Sequence, residues 1–351
     1  APAMFNVTMI FGGIIIIIVK PTDYYQPIYW AIAALVGGFI QIAIQLPAAF
    51  KVGYRYKPVV DLRLKNSGLR RIVKLMLPAT VGLAAVQINI IINTIIASML
   101  PTGSVAYLNY SFRLIQLPIG MFGVAIATVT TAYITKDVVN KDIKKLKSNI
   151  ADSLKLNSFL TFPAIVYLFI LGDTLVALLF QHGRFNYVDT VNTFKALQFY
   201  SLSLFFYSSV KILAPVFYAI NKSHKPVISS ILSVITNLAV SLTTYRTLGI
   251  RGLALGLSAG SFVNFLFLMI NFVKIFGAIK KENILSSVLK NLVSSFVMIA
   301  VGMFVYGKLI NESIFISATA ALIASGITYF VISILIKSRE MKQIMNIVRR
   351  V

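Results

Sequence analysis

Asn109, Arg113 and Gln116 fall at i, i+4 and i+7 within SVAYLNYSFRLIQLPIGMFGVAIATVTTAYI, residues 104–134, where Arg113 is the sole charge. That spacing puts all three on one face of a helix. A stretch this long and apolar can cross a bilayer, which takes about 20 residues. An arginine inside such a helix costs at least ~2.5–3.5 kcal/mol on insertion scales, so it usually faces a wet cavity and meets an anion. Its planar fork of donors matches phosphate, so a phosphate or pyrophosphate group is the natural ligand. The plainer alternative is that Arg113 snorkels to a lipid headgroup or bonds a carbonyl. Pro118 removes a backbone bond and predicts a bend, and Gly120 and Gly123 continue near the polar face.

Two further polar sets interrupt apolar runs. Gln87, Asn89 and Asn93 lie in LPATVGLAAVQINIIINTIIASML, with Asn89 and Asn93 at i, i+4 and Pro78 marking a kink near the start. Amides in such a helix either touch a substrate or simply tie helices together. In YSSVKILAPVFYAI, Ser208, Lys211, Pro215 and Tyr218 share a face, with Pro215 a second candidate kink. Lys211 can neutralise a phosphate or tether a neighbouring helix. Lys195 lies near a span end and is given no role.

The absences narrow the chemistry. The chain has no cysteine and two histidines, which removes thiol catalysis and makes a metal centre unexpected. Its ten acids, Asp23, Asp61, Asp137, Asp142, Asp152, Asp173, Asp189, Glu282, Glu312 and Glu340, all fall in loops or near span ends. No acid pair is placed to hold magnesium for a phosphotransferase, and no mid-membrane carboxylate is placed to relay protons or sodium. Neither a metal nor a cofactor is expected.

The elements that must carry these residues are membrane helices. Hydrophobic residues make up 58% of the 351, and charged residues 12%. Ten apolar spans are predicted, at 3–19, 27–49, 75–100, 104–134, 156–180, 191–220, 226–245, 252–273, 291–307 and 313–336. The fold class is all-α, a polytopic membrane bundle. With both termini cytoplasmic, the inner loops hold 25 Lys and Arg and the outer loops 5, a strong positive-inside bias. The net charge of +23 is therefore topological, and nucleic acid is not an expected partner. The first span lacks the flanks of a signal peptide, and the chain is expected to begin partway through a longer polypeptide. The basic segment 51–74, with Gly53, Pro58 and Gly68, is expected to be a cytoplasmic hinge. Segment 136–155 is expected to form a polar surface helix, and the last two spans look like an appended pair.

Five strings, GGFIQIAIQLP (37–47), LPATVGLAAVQINIIINTIIAS (77–98), GSVAYLNYSFRLIQLPIGMFGVAIAT (103–128), LFQHGRFNYVDT (179–190) and VKILAPVFYA (210–219), together resemble the MurJ/MviN family. These are lipid II flippases of the multidrug/oligosaccharidyl-lipid/polysaccharide exporter superfamily. The resemblance runs through essentially the whole chain. It implies two six-helix lobes around a central cavity plus two helices forming a hydrophobic groove. The ten spans would then be helices five to fourteen, with the first four missing. Residues 1–50 would complete the amino-terminal lobe, 51–74 would link the lobes, 75–273 would form the second lobe, and 274–351 would hold the groove helices and a basic tail.

By the same resemblance Arg113 stands at a cavity arginine that the family needs; Asn109, Gln116, Lys211, Asn93 and Gln87, read from type and spacing, are the further candidate substrate contacts. The family commonly has acids just before that arginine and three residues after it; here these are Phe112 and Gln116. Some relatives are thought to bind sodium through an asparagine and acids. Asn237 fits the asparagine, but Ser241 stands where an acid is expected, so no sodium site is expected. The implied function is alternating-access translocation of lipid II across the bacterial cytoplasmic (inner) membrane by a monomer, with membrane lipids as the other partners. The alternatives are a flippase for another polyprenyl-linked oligosaccharide, a drug or cation antiporter, a membrane glycosyl- or phosphotransferase, and a non-transporting scaffold.

Overall fold

A computed structural model of the chain describes residues 2–22, 24–53, 70, 80, 84, 87–279 and 284–342. Most of the 51–74 hinge, Pro78 and the end of the basic tail lie outside these residues. The chain divides into two compact units, Ala1–Arg70 and Arg71–Val351.

The described part of the first unit is a helical hairpin, α1 (Pro2–Val19) and α2 (Gln26–Lys51). Small residues let the two backbones approach: a Cβ on Gly12 would sit 2.5 Å from that of Ala33, and one on Gly37 would meet the Phe5 ring at 3.0 Å. Close approach of this kind drives helix association where lipid competes with apolar side chains.

The second unit holds α3 (Gln87–Ser98), α4 (Ser104–Pro118), α5 (Ala125–Val139), α6 (Ile143–Ile170), α7 (Gly172–Phe180), α8 (Tyr187–Ser201) and α9 (Ser203–Ala219). It continues with α10 (His224–Leu248), α11 (Ile250–Phe276), α12 (Ile284–Lys308) and α13 (Ile314–Leu335). Among the described residues seven helical segments are long and apolar enough to cross a membrane. The bent pair α8–α9 makes an eighth, and α1 and α3 are shorter apolar helices. The ten sequence-derived spans thus each find a helix, and the chain is an all-α, multi-pass membrane protein.

Within this unit the packing is set by small residues and buried polar ties. Gly252, Gly256 and Gly260 line one stripe of α11, and each faces a polar residue of α10: Thr244, Ser241 with Asn237, and Ser233. The tight turn between these helices is made by Gly249 at φ +58. Asn291 of α12 donates to the Ser158 hydroxyl of α6 at 2.9 Å, and the Tyr329 hydroxyl of α13 donates to the Phe159 carbonyl at 2.6 Å. The last two helices are therefore anchored on α6.

Three places show local detail beyond these expectations. Pro118 is followed by a π-helical segment, Ile119–Val124, which joins α4 to α5. A π turn holds an extra residue, and this one follows directly on the proline, which lacks a backbone donor. Pro215, in contrast, lies inside a continuous α9, and the 43° bend falls at Leu202 between α8 and α9. Leu213, Val216 and Phe217, on either side of the proline, are fully buried. The polar segment 136–155 is not a separate surface helix. It is the end of α5, a turn, and the start of α6, because Asp142 caps α6 by accepting from the Lys145 N–H at 3.0 Å.

Candidate functional site

Two neighbouring stripes of α4 carry different surroundings. Val105, Leu108, Asn109 and Phe112, at i, i+3, i+4 and i+7, line a cavity of about 340 Å³ inside the second unit. Asn109, Arg113, Gln116 and Gly120 form the adjacent stripe, and all four are exposed. Asn109 belongs to both. The polar face expected from spacing therefore exists, but Arg113 and Gln116 stand outside the cavity that their helix helps to wall.

The other walls come from α3, α8, α9, α10 and α11. Asn89, Asn93 and Thr94 contribute from α3, Tyr200 from α8, Tyr207 and Lys211 from α9, Ser230 and Ser233 from α10, and Ser261 and Asn264 from α11. Of the sequence-derived candidates the fold thus gathers Asn93, Asn109 and Lys211. It leaves Gln87 exposed at the start of α3, away from the lining. Lys211 is half-buried, with its ammonium 5.5 Å from the centre of the Tyr207 ring, one helical turn earlier. Its expected face divides: Ser208 is buried against Gly123 of the π-helical segment, whereas Tyr218 is exposed. Gly120 meets nothing within 4 Å, so close approach is confined to Gly123.

An amide network closes one side of the cavity. Asn237 of α10 donates its amide N–H groups to the side-chain oxygens of Asn89 and, at 3.3 Å, Asn93. Its own oxygen accepts from the Ser241 hydroxyl at 3.1 Å. These residues form a neutral set. Among the described residues no three His, Asp or Glu side chains gather as metal ligands.

Among the described residues Arg113 and Lys211 form no ion pair; the ion pairs there are Lys145–Asp142 at 3.1 Å and Lys155–Asp152 at 3.3 Å. Asp189 lies near the end of α4 but is already engaged. It accepts from the Tyr107 hydroxyl at 2.8 Å and from the Asn186 N–H at 2.8 Å in a capping box. An exposed guanidinium on a membrane-crossing helix, with no carboxylate beside it, is suited to a polyanion.

Tyr200, Tyr207, Ser230, Ser233, Ser261 and Asn264 were not singled out from the sequence. Asn264, a lone amide within the apolar run FVNFLFLMI, carried the clearest signal. A second groove of about 500 Å³ is lined by Leu285, Ser286, Leu289, Lys290 and Val293 of α12 and by Ile336 just after α13. It is apolar except for one cation and one hydroxyl.

Residues 1–325 match the family model described as Lipid II flippase MurJ. The chain is 33% identical over 270 residues to a probable lipid II flippase MurJ of Buchnera aphidicola subsp. Acyrthosiphon pisum, covering 76% of this chain and 52% of that protein. It is 31% identical over 281 residues to the lipid II flippase MurJ of Burkholderia cenocepacia, covering 78% and 53%. The chain spans about half the length of the curated relatives it matches. In fold it is similar to a solved lipid II flippase MurJ in an inward closed conformation, with a TM-score of 0.77 at 24% identity over 96% of this chain and 66% of that one. A solved inward-facing multidrug resistance transporter of the MATE family is similar at a TM-score of 0.64 and 18% identity, covering 80% and 64%.

Proposed function

The chain belongs to the lipid II flippase MurJ family, and from that premise we propose that it moves lipid II from the inner to the outer leaflet of the bacterial cytoplasmic membrane. The observation that carries this reading is Arg113: an exposed cation on a membrane-crossing helix with no acidic partner among the described residues. The pyrophosphate–sugar head is taken up against the Asn109–Arg113–Gln116 stripe, where the guanidinium fork meets phosphate oxygens. The polyprenyl tail stays in apolar surroundings beside α12 and α13, whose groove supports such a role. Rocking of two lobes then exposes the head on the other side.

In this reading residues 1–50 end the first lobe, 51–74 link the lobes, 75–273 form the second lobe and 274–351 carry the groove helices. The work is transport by a monomer, not bond chemistry. Asn93, Lys211 and Gln87 supply secondary polar contacts as the head passes. Pro118, through its π-helical segment, supplies the flexible point of the Arg113 helix.

The test uses cells depleted of their own lipid II flippase, expressing the protein from its native gene. The readout is the fraction of lipid II accessible from outside. Rescue by wild type, and its loss in Arg113→Ala at equal protein level, is expected. Failure of well-expressed wild type to rescue overturns lipid II as the cargo and favours another polyprenyl-linked glycan. Rescue by both proteins overturns the role of Arg113.

A further inference from the structure

The cavity inside the second unit has a charge balance that must be met also when no cargo passes. Among the described residues its lining holds one formal charge, the Lys211 ammonium, among amides, hydroxyls and apolar side chains. No acid can reach it from most of its walls. The chain has no Asp or Glu between Asp61 and Asp137 or between Asp189 and Glu282, so α3, α4, α9, α10 and α11 are free of acids. On α8, Asp189 lies about 16 Å along the helix axis from Tyr200, and it is held by Tyr107 and Asn186. The Tyr207 ring at 5.5 Å offsets only part of what an ammonium loses on leaving water.

The amide network supplies the complementary half. Asn237 occupies the side-chain oxygens of both Asn89 and Asn93, which leaves the N–H groups of these two lining residues as donors. Among the described lining residues, one cation, two amide donors and no carboxylate make a site that disfavours cations and attracts an anion. At about 340 Å³ the space exceeds a bare halide and has room for its water shell. That water would also satisfy the Oδ1 of Asn264, which is buried without a partner.

We propose that this cavity binds one small monovalent inorganic anion, chloride in most surroundings, as the counter-charge of Lys211. The anion sits at Lys211 and not on Arg113, and its binding does not depend on which cargo the protein carries. It leaves Lys211 neutralised and closes the polar interior among α3, α9 and α10.

The experiment follows thermal unfolding of the full chain in detergent, with chloride or bromide replacing gluconate at constant ionic strength. A saturable rise of about 2–4 °C is expected for wild type and Lys211→Arg, and none for Lys211→Met. Equal unfolding midpoints in halide and gluconate overturn the proposal, as does an undiminished rise in Lys211→Met. Loss of the rise in Arg113→Gln, with Lys211→Met unaffected, also overturns it by moving the anion to the exposed stripe. A rise that depends on Lys211 but comes only from phosphatidylglycerol in mixed micelles overturns the free anion in favour of a lipid phosphate. If Lys211→Met does not fold, chloride-35 line broadening on wild type decides. Broadening that bromide displaces supports the site, and its absence overturns it. None of these outcomes depends on lipid II transport.

Discussion

Asn237 of α10 donates to the side-chain oxygen of Asn93 in α3 at 3.3 Å, tying together two helices far apart in sequence. The same amide reaches Asn89 and accepts from Ser241. Removing it in Asn237→Leu strands the Ser241 hydroxyl and the two asparagine oxygens. Membrane hydrogen bonds average ~0.6 kcal/mol, so the loss expected over three bonds is about 1–2 kcal/mol. Unfolding in mixed micelles should show it, with faster amide exchange in α3 than in α13. Unchanged exchange in α3 would mean that the network does not hold that helix.

Gly256 of α11 faces Asn237 and Ser241 so closely that an added Cβ would lie 2.9 Å from the Asn237 carbonyl oxygen and overlap both side chains. Gly256→Ala should therefore destabilise the protein by about 1–3 kcal/mol through forced separation of α10 and α11. Gly120→Ala, where nothing lies within 4 Å, is the control and should cost little. Comparison of the two unfolding midpoints checks this.

Arg113 and Phe217 differ sharply in access: the first is exposed and the second is fully buried between helices. Because the chain has no cysteine, single replacements report without background. Arg113→Cys in membranes should react with a charged, water-soluble maleimide, and Phe217→Cys should not. Protection of Arg113→Cys would place the stripe against lipid or protein.

Charge alone should not replace the Arg113 fork. Arg113→Lys keeps the cation but loses the bidentate geometry, at roughly 1.5–3 kcal/mol for a charged hydrogen bond, or about 10- to 100-fold in transport rate. External lipid II accessibility, measured at early times, should rank wild type above Arg113→Lys and both above Arg113→Ala.

Asp142 gives the protein an acid-sensitive joint. Its carboxyl is held below the usual aspartate value mainly by the Lys145 backbone N–H, then by the Lys145 side chain. A lowered folded-state value means that the stabilisation is full above the unfolded aspartate value, near 3.8, and fades as pH falls through the folded one. Asp142→Asn keeps a capping oxygen without the titration, so its unfolding midpoint should fall less between pH 5 and pH 3 than that of wild type. Parallel curves would rule out this contribution.

Hydropathy alone located the membrane helices, because α10 to α13 are long apolar runs separated by short segments that hold glycine, charged or polar residues. What it could not reveal were departures from helical period. The π-helical segment after Pro118 rotates everything that follows, so Gly120 and Gly123 ended in different surroundings despite their spacing from Arg113. The α8–α9 bend sits at Leu202, a residue with no breaker signature, because packing of the two halves, not proline chemistry, decides it. The site was legible as types but not as a place. Asn93, Asn109 and Lys211 come from three helices, and only tertiary packing brings them to one cavity. The same packing leaves Arg113 one stripe away.

The rod from Ser104 to Val139 is 36 residues long. At ~1.5 Å per residue it measures about 54 Å, against about 30 Å of hydrocarbon. Its surplus, on the lysine-rich side, is riveted to α6 by the Asn149 amide donating to Asp137 at 2.5 Å. Such an overhang is a lever. A change of about 20° in the tilt of the span would sweep its tip sideways by about 8 Å. A label placed at Asn140 would thus read out, in water and at enlarged scale, motions whose origin is buried among lipid tails.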